Sequence, residues 1–317
     1  MRRVLVIGIG MGQASQLTFR AAEALGQADL FLLLEKGEAA AGLVALREGL
    51  LARFAKPGHR VVRAPSPRRL RPPLPAGEAG GAAAESAARD AAYRASVAGW
   101  HEERAALLAA LLARELPEDG TAAILVWGDP MLYDSTLRVL EAARALFARP
   151  AAGGSEAEGS GRPASAMPGG PTTATHPPPA TGGPFPPGAV APPPAAADGF
   201  AVEVVPGISA LQMLCAAHAI PLNGVGEPVL VTTGRRVAEE TPAAPAFAVL
   251  LDDGSGLRAL RARGWKGEVW WGACLGTPDE ALLAGPLEEI AAAILDARAD
   301  IRARLGWVMD VWLARPA

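Results

Sequence analysis

The run Trp127-Gly128-Asp129-Pro130-Met131-Leu132-Tyr133 lies between an apolar segment, residues 122–126, and a segment with helical spacing, residues 136–146. The apolar segment is typical of a parallel strand that is buried on both faces, and the spacing behind it predicts a helix. The Gly-Asp-Pro turn is therefore expected at the carboxyl end of a strand, where open α/β sheets bind their ligands. A plain strand-to-helix turn is the competing interpretation, since these three residue types are common in turns.

Strand-like and helix-like segments alternate on both sides of this turn. Strands are predicted over residues 3–9, 28–34, 60–64, 200–205, 228–232, 246–251, 268–271 and 307–312. Helices are predicted over residues 15–25, 38–54, 136–146, 210–219, 255–263 and 287–303. This alternation predicts an α/β fold, and 317 residues are enough for two domains. We place these domains, of unequal size, at residues 1–222 and 223–317.

Two segments of low complexity interrupt the pattern, at residues 65–84 and 149–199. The longer one consists mostly of proline, glycine and alanine and includes two Pro-Pro-Pro runs. Such a composition buries too little apolar surface to offset the entropy of ordering. We therefore expect a disordered insertion that loops out of the first domain without disturbing its sheet.

The composition excludes several classes of protein. A net charge of −3 and a pI near 5.9 leave no basic surface for nucleic acid. No apolar run reaches the ~18–20 residues of a membrane span, and Gly8 interrupts the apolar stretch after Met1-Arg2-Arg3, so no signal peptide is expected. Two cysteines, Cys215 and Cys274, are too few for a disulfide framework, and no Cys/His cluster has metal-ligand spacing. We expect a cytoplasmic protein that binds no metal, nucleic acid or membrane.

A glycine-rich turn follows the first predicted strand. Gly8-Ile9-Gly10-Met11-Gly12 stands there, and Glu35 closes the second strand. This arrangement is typical of a nucleotide-binding βαβ unit, with glycines near a phosphate and an acid on a ribose. Gln13 occupies the place of the third glycine in a dinucleotide fingerprint. A dinucleotide-binding oxidoreductase is therefore an alternative, although it leaves the Gly-Asp-Pro turn unexplained.

Three motifs and a second α/β unit occur in an order that resembles the tetrapyrrole methylase superfamily. The motifs are Gly8-Ile9-Gly10-Met11-Gly12, Gly128-Asp129-Pro130-Met131-Leu132-Tyr133 and Pro206-Gly207-Ile208-Ser209-Ala210. The resemblance implies two unequal α/β domains with a cleft between them that binds S-adenosylmethionine and releases S-adenosylhomocysteine. This sequence differs from the family pattern at Gln13-Ala14, where members usually have Asp-Pro. It also differs at the insertion of residues 149–199, where members have a short link.

Further motifs are similar to one branch of the superfamily, the deacetylating precorrin-6A synthases. They are Glu35-Lys36-Gly37-Glu38-Ala39-Ala40, Trp100-His101-Glu102-Glu103-Arg104, Asn223-Gly224-Val225-Gly226-Glu227-Pro228, Thr232-Thr233-Gly234-Arg235-Arg236, Leu275-Gly276-Thr277-Pro278-Asp279-Glu280 and Gly306-Trp307-Val308-Met309-Asp310. This likeness implies methylation of precorrin-5 at C-1 with release of acetate, in aerobic cobalamin biosynthesis. It also implies a tetrapyrrole substrate and a homodimer. Another methylase of the same fold, or a binding protein that has lost activity, remains an alternative.

The resemblance assigns roles to individual residues. It implies that the cofactor is held by Gly128, Asp129, Pro130, Tyr133, Ser209 and Ala210, and less directly by Leu251 and Ala273 of the second domain. The candidates for general acid or base chemistry are Tyr133, His101 and Glu38. The candidates for binding substrate carboxylates are Lys36, Arg104, Arg235 and Arg236. The competing interpretations are a helix cap for Asp129, an ordinary helix-surface residue for His101 and solvated charges for the basic residues.

Overall fold

The computed structural model describes residues 1–35, 41–69, 82–147 and 199–317. Of residue 41 and residues 82–90 it describes only the backbone. The predicted disorder of residues 149–199 lies outside the described residues except for Gly199, and so does most of the shorter low-complexity segment. Lys36 and Glu38 lie outside them as well. Among the described residues, no helix is long and apolar enough to cross a membrane.

The first domain is a sheet of five parallel strands between two layers of helices. Its strands are β1 (Arg3–Gly8), β2 (Leu30–Glu35), β3 (Arg60–Pro65), β4 (Thr121–Val126) and β5 (Ala201–Val205), in the order β3-β2-β4-β1-β5. Its helices are α1 (Phe19–Gln27), α2 (Ala41–Phe54), α3 (Ala82–Glu115), α4 (Thr136–Phe147) and α5 (Ala210–Ala217). The prediction of an α/β fold is therefore confirmed.

The side chains of β1 show why helices cover both faces of this sheet. Val4 and Val6 pack with apolar residues of α3 and α4, whereas Leu5 and Ile7 pack with residues of α1 and α2. Successive residues of a strand point to opposite faces, so an unbroken apolar strand needs a cover on each side. β4 is buried along its whole length, as its apolar run predicts.

The second domain is a mixed sheet. Its strands are β6 (Val229–Thr233), β7 (Ala246–Leu250), β8 (Gly267–Ala273), β9 (Ala281–Pro286) and β10 (Asp310–Pro316), in the order β6-β7-β10-β8-β9. Its helices are α6 (Gly234–Glu239), α7 (Ser255–Ala262) and α8 (Leu287–Leu305). β6 and β7 are parallel, and the other neighbours are antiparallel. Trp271 and Trp312 are fully buried at its centre.

Helix α5 joins the two domains. Its side chains Leu211 and Leu214 pack with Leu250 of β7, Leu313 of β10 and Leu275 after β8. Since these residues form one apolar cluster, the carboxyl ends of strands β1, β4 and β5 lie next to the second sheet. The boundary at residues 222 and 223 stays a prediction.

The first helix and the last strand begin later than predicted, and three observed elements were not predicted. The first helix begins at Phe19 instead of residue 15, because Thr18 caps it and residues 14–16 form a separate turn of 3₁₀ helix. The last strand begins at Asp310, because Gly306 ends α8 with a φ of 77° and the next three residues connect the two elements. Helix α3, helix α6 and strand β9 were not predicted.

Candidate functional site

Three glycine loops meet at the carboxyl ends of β1, β4 and β5. The Gly10 amide donates to the Gly128 carbonyl at 3.3 Å, and the Gly128 amide donates to the Gly10 carbonyl at 2.7 Å. A Cβ atom on Gly207 would lie 2.3 Å from the Gly128 carbonyl oxygen, and one on Gly8 would lie 2.6 Å from the Gly207 nitrogen. The loops can approach this closely only because these positions carry no side chain.

The Asp129 carboxylate ties two of these loops together. One oxygen accepts a hydrogen bond from the Gly207 amide at 2.9 Å, and the other accepts one from the Met131 amide at 2.8 Å. The interpretation of Asp129 as a helix cap is wrong, because α4 begins at Thr136 and its amide donates to the Asp134 carboxylate at 2.6 Å. Asp129 therefore shapes the loop.

A small cavity of about 270 Å³ opens beside these loops, between the two domains. The predicted residues Gly128, Asp129, Tyr133, Ser209, Ala210 and Leu251 line it, together with Met11, Trp127, Leu132, Asp134, Leu250, Asp252, Leu275, Val308, Met309, Asp310 and Val311. Ser209 caps α5 through its hydroxyl, which accepts from the Gln212 amide at 3.3 Å. Its hydroxyl therefore positions the helix, and Ala210 is the first residue of that helix.

The second-domain wall of this cavity is centred on Leu251 and Asp252. Leu251 has a φ of 53°, a conformation that is rare for a bulky residue, and the residue is 68 % exposed. The buried Asp252 carboxylate accepts hydrogen bonds from the Gly254 and Gly256 amides at 3.0 Å each and from the Trp312 indole at 3.1 Å. These bonds fix the turn that presents Leu251 to the cavity.

A buried ion pair supports the same wall. The Arg298 guanidinium lies 2.6 Å from the Asp310 carboxylate, and the two side chains are 11 % and 4 % exposed. The Trp271 indole donates to the same carboxylate at 2.8 Å. Since Asp310 also lines the cavity, Arg298 and Trp271 hold this carboxylate in place at the cavity wall.

The glycine-rich first turn does not have the geometry of a dinucleotide-binding loop. Helix α1 begins at Phe19, so the glycine-rich turn does not lead directly into a helix as it does in a dinucleotide-binding unit. The Gln16 side chain accepts from the Met11 amide at 2.7 Å and donates to the Leu275 carbonyl at 3.3 Å, which connects the turn to the second domain. Glu35, the expected ribose ligand, lies 3.5 Å from Arg63.

A second and larger cavity, of about 780 Å³, lies over the carboxyl ends of β2 and β4. Four basic side chains line it: Arg47, Arg69, Arg104 and Arg138. Ring side chains also line it, namely Tyr93, Trp100, His101, Trp127 and Tyr133. Asp134 contributes the one carboxylate in the described lining. This cavity therefore combines ring-sized apolar surfaces with an excess of positive charge.

The two cavities share one wall. Residues that line both are Trp127, Leu132, Tyr133, Asp134 and Leu251. A ligand in the small cavity and one in the large cavity would meet across these side chains.

Comparison with known proteins identifies the fold. The family model described as Tetrapyrrole (Corrin/Porphyrin) Methylases matches residues 3–149 and 194–291. The chain belongs to this tetrapyrrole methylase family. It is 36 % identical over 316 residues to a curated "Precorrin-6A synthase [deacetylating]" from Sinorhizobium sp, a match that covers 99 % of this chain and 95 % of that one.

Solved structures agree with this membership. A cobalamin synthesis related protein (CobF) from Corynebacterium diphtheriae is 29 % identical with a TM-score of 0.66, over 100 % of this chain and 99 % of that one. The uroporphyrin-III C-methyl transferase of Thermus thermophilus complexed with S-adenosylhomocysteine is 17 % identical with a TM-score of 0.50. That match covers 99 % of this methylase and 97 % of the neighbour, and it supports the fold alone.

Two predicted cofactor residues do not line the small cavity of this methylase. Pro130 is buried and is not among the residues that line this cavity. Ala273 is fully buried in the core of the second domain, because its position in β8 points the side chain toward α8. Leu275, two residues later, lines the cavity instead.

The predicted acid–base residues have different surroundings. The Tyr133 hydroxyl donates to the Val231 carbonyl of β6 at 3.0 Å, and burial raises the pKa of its phenol. His101 lines the large cavity, where burial, followed by the charges of Arg104 and Arg138, lowers the pKa of its imidazole. The third candidate, Glu38, is outside the described residues.

The predicted carboxylate-binding residues lie in different places and have different partners. Arg104 lines the large cavity and donates to the Ser135 hydroxyl at 3.1 Å. Arg235 and Arg236 pair with Glu239 at 2.8 and 3.0 Å. The guanidinium of Arg235 also lies 4.8 Å from the centre of the Tyr93 ring, at the cavity's edge.

The sequence analysis did not single out several residues that line the two cavities or support their walls. They are Arg47, Arg69, Arg138, Asp252, Arg298 and Asp310. A local signal existed for Asp310, since it ends the quoted Gly306–Asp310 motif. Arg47 occupies one position of an ordinary helical pattern, and nothing nearby in the sequence distinguishes it.

Proposed function

We propose that this methylase transfers a methyl group from S-adenosylmethionine to C-1 of precorrin-5 and releases acetate, giving precorrin-6A in aerobic cobalamin biosynthesis. The observation that carries this proposal is the pair of adjoining cavities with a shared wall. The near full-length identity of 36 % to a precorrin-6A synthase narrows the substrate to precorrin-5.

The small cavity suits S-adenosylmethionine, which supplies an electrophilic methyl group when bound. Gly128 has no side chain, so a ligand can approach the loop closely, although its amide and carbonyl already bond to Gly10. The amino terminus of α5 at Ala210 suits a carboxylate. Leu251, Leu275 and Met309 offer an apolar surface for an adenosine group. The S-adenosylhomocysteine bound by the Thermus thermophilus relative supports the same choice of cofactor class.

The large cavity suits a macrocycle that carries many carboxylates. Its aromatic side chains offer flat apolar surfaces, and its arginines offer charged hydrogen-bond donors. The electron-rich carbon of the macrocycle is itself the nucleophile. The protein therefore contributes mainly by aligning the carbon with the methyl group and by excluding water.

His101 is the described residue best suited to assist acetate release. Its imidazole stays neutral at neutral pH because burial and two arginines lower its pKa, so it can accept a proton from an attacking water. Tyr133 is assigned a different role. Its hydroxyl already donates a hydrogen bond to the Val231 carbonyl, and this bond holds the wall that the two cavities share. A homodimer and a cytoplasmic location are proposals that rest on the family resemblance.

The direct test supplies precorrin-5 and S-adenosylmethionine with a ¹³C-labelled methyl group. We expect equal amounts of labelled precorrin-6A and acetate. Methylation of another precorrin without acetate would replace the proposal with a different methylase of this fold. Tight NAD(H) binding without S-adenosylhomocysteine binding would favour the oxidoreductase, and a folded protein that binds but turns over nothing would favour a binding protein.

A further inference from the structure

The large cavity collects buried polar atoms that have no partner within the protein. In the described part of the chain, the buried side-chain atoms without a hydrogen-bond partner are Nε of Arg3, Arg47, Arg104, Arg144 and Arg315 and Oγ of Ser66. Three of them, on Arg47, Ser66 and Arg104, line this one cavity. Buried donors are normally satisfied, so a cluster of unsatisfied ones marks a place where a bound ligand or water would complete the hydrogen bonds.

The two guanidinium groups are held in similar ways. Arg47 of α2 lies 4.7 Å from the centre of the Trp127 ring, and Arg104 of α3 lies 4.7 Å from the centre of the Trp100 ring. Stacking fixes the plane of a guanidinium while its edge stays available for a bidentate bond to a carboxylate. The tryptophans therefore orient both groups before any ligand arrives.

The charge balance of the cavity favours an anionic ligand. The lining contains four arginines and one carboxylate, that of Asp134, which interacts with both Arg47 and Arg104. Burial lowers the pKa of Arg47 to about 10, which still leaves it protonated at neutral pH, and burial also lowers the pKa of Arg104. Both shifts indicate that the surroundings of these guanidinium groups solvate their charge poorly. A buried charge without a full counter-charge is costly, and ligand carboxylates would relieve that cost.

We propose that Arg47 and Arg104, with the Ser66 hydroxyl, form the subsite that binds carboxylate side chains of the macrocycle, and that Arg47 is its anchor. The assignment rests on the proposed function, because that function supplies the polycarboxylate substrate. Trp127 stacks on Arg47 and directly precedes Gly128 of the cofactor loop. A carboxylate bound at Arg47 therefore sets how far the macrocycle reaches toward the shared wall.

Binding of two stable corrins tests this subsite. Dicyanocobyrinic acid presents free carboxylates on a ring-contracted macrocycle, and dicyanocobinamide presents the same ring with its carboxylates converted to amides. Equilibrium dialysis against full-length protein would measure the affinity for each. The variants are Arg47→Gln, Arg47→Lys and the control Arg53→Gln, which removes a charge from the same helix outside both cavities. Calorimetry with S-adenosylhomocysteine reports whether each variant is folded.

We expect Arg47→Gln to weaken binding of the carboxylate corrin about 10- to 100-fold, the range for a lost charge-assisted pair. Arg47→Lys should give an intermediate loss, because lysine keeps the charge but not the bidentate edge. Arg53→Gln should change the affinity by less than about twofold. The amidated corrin should bind weakly to every variant, and S-adenosylhomocysteine should bind all of them alike.

Two results would overturn the subsite: equal binding of both corrins to the wild type, or an unchanged affinity in Arg47→Gln. Its failure can be distinguished from failure of the proposed function. If the wild type releases acetate but Arg47→Gln binds the carboxylate corrin with unchanged affinity, only the subsite is rejected. Arg47-dependent corrin binding without turnover of precorrin-5 would reject only the proposed reaction.

Discussion

The small and the large cavity differ in how their polar groups are satisfied. Around the small cavity, the carboxylates of Asp129, Asp252 and Asp310 already accept hydrogen bonds from backbone amides, indoles or Arg298. Around the large cavity, Arg47 and Arg104 keep buried donors without partners. The first site is shaped by bonds within the protein, whereas the second depends on its ligand to complete its bonds. Substitutions should therefore act on folding at the first and on substrate binding at the second.

The largest effect is expected at the junction of the three loops. Gly207→Ala would place a Cβ atom 2.3 Å from the Gly128 carbonyl, so the cofactor loops must move apart. We expect a loss of stability of about 3 kcal/mol and no measurable S-adenosylhomocysteine binding. Gly49→Ala is the control, since a Cβ there meets nothing within 4 Å. Calorimetry that finds both variants equal to the wild type would show that close loop packing is not required.

His101 is the next test, and it concerns the large cavity alone. His101→Gln should lower acetate release about 10²- to 10⁴-fold without weakening S-adenosylhomocysteine binding. The wild-type rate should fall as the pH drops through the lowered imidazole pKa, below the ordinary 6.5. The control His59→Gln, outside both cavities, should keep this profile. An unchanged profile in His101→Gln would assign the proton transfer elsewhere.

The same pKa shift predicts how stability depends on pH. The unfolded chain binds a proton to His101 near pH 6.5, whereas the folded protein binds it only at lower pH. Between these values the unfolded state holds more protons, so stability decreases as the pH falls through that window. Denaturant unfolding should show a smaller decrease in His101→Gln.

A smaller effect, on folding, is expected at the wall of the small cavity. Asp310→Asn removes the charge that faces Arg298, and we expect about 2–3 kcal/mol of destabilisation with weaker S-adenosylhomocysteine binding. Asp300→Asn breaks an exposed pair with Arg304 and should cost about 0.5 kcal/mol or less. Urea unfolding that gives equal values for the two variants would contradict a supporting role for the buried pair.

The smallest effect is expected at the wall that the two cavities share. Tyr133→Phe removes one hydrogen bond, to the Val231 carbonyl, and should cost about 1 kcal/mol of stability. Turnover should fall by less than about tenfold if Tyr133 only holds the wall. A loss of 10²-fold or more, with stability unchanged, would instead make its phenol a proton donor or acceptor.

The position of the Gly-Asp-Pro loop was predictable because its signals are local. The apolar run of β4, the Gly-Asp-Pro turn and the helix after it are contiguous, and the turn therefore lies at the carboxyl end of a parallel strand. The position of Ala273 was not predictable in the same way. Its contact depends on which face of β8 meets α8, and that register is set by pairing with β10.

Three of the four arginines of the large cavity, Arg47, Arg69 and Arg138, could not be predicted from the sequence. Arg47 and Trp127 belong to α2 and to the loop after β4, and only the packed sheet brings them together. The motif around Arg104 predicted a carboxylate-binding residue, and the structure places Arg104 at the large cavity, whereas Arg236, predicted in the same way, pairs with Glu239. Charged side chains on helices are usually solvated, so the arginines that line a cavity can be distinguished only when their burial is known.

A crystal structure with S-adenosylhomocysteine bound would test most directly the claim that the small cavity binds the cofactor and the large cavity binds the macrocycle. We expect the ligand in the small cavity, with its sulfur against Tyr133 and Leu251 and facing the large cavity across them. Its carboxylate should lie near the amino terminus of α5. A nucleoside bound instead among Arg47, Arg104 and Trp100 would contradict the assignment of both cavities.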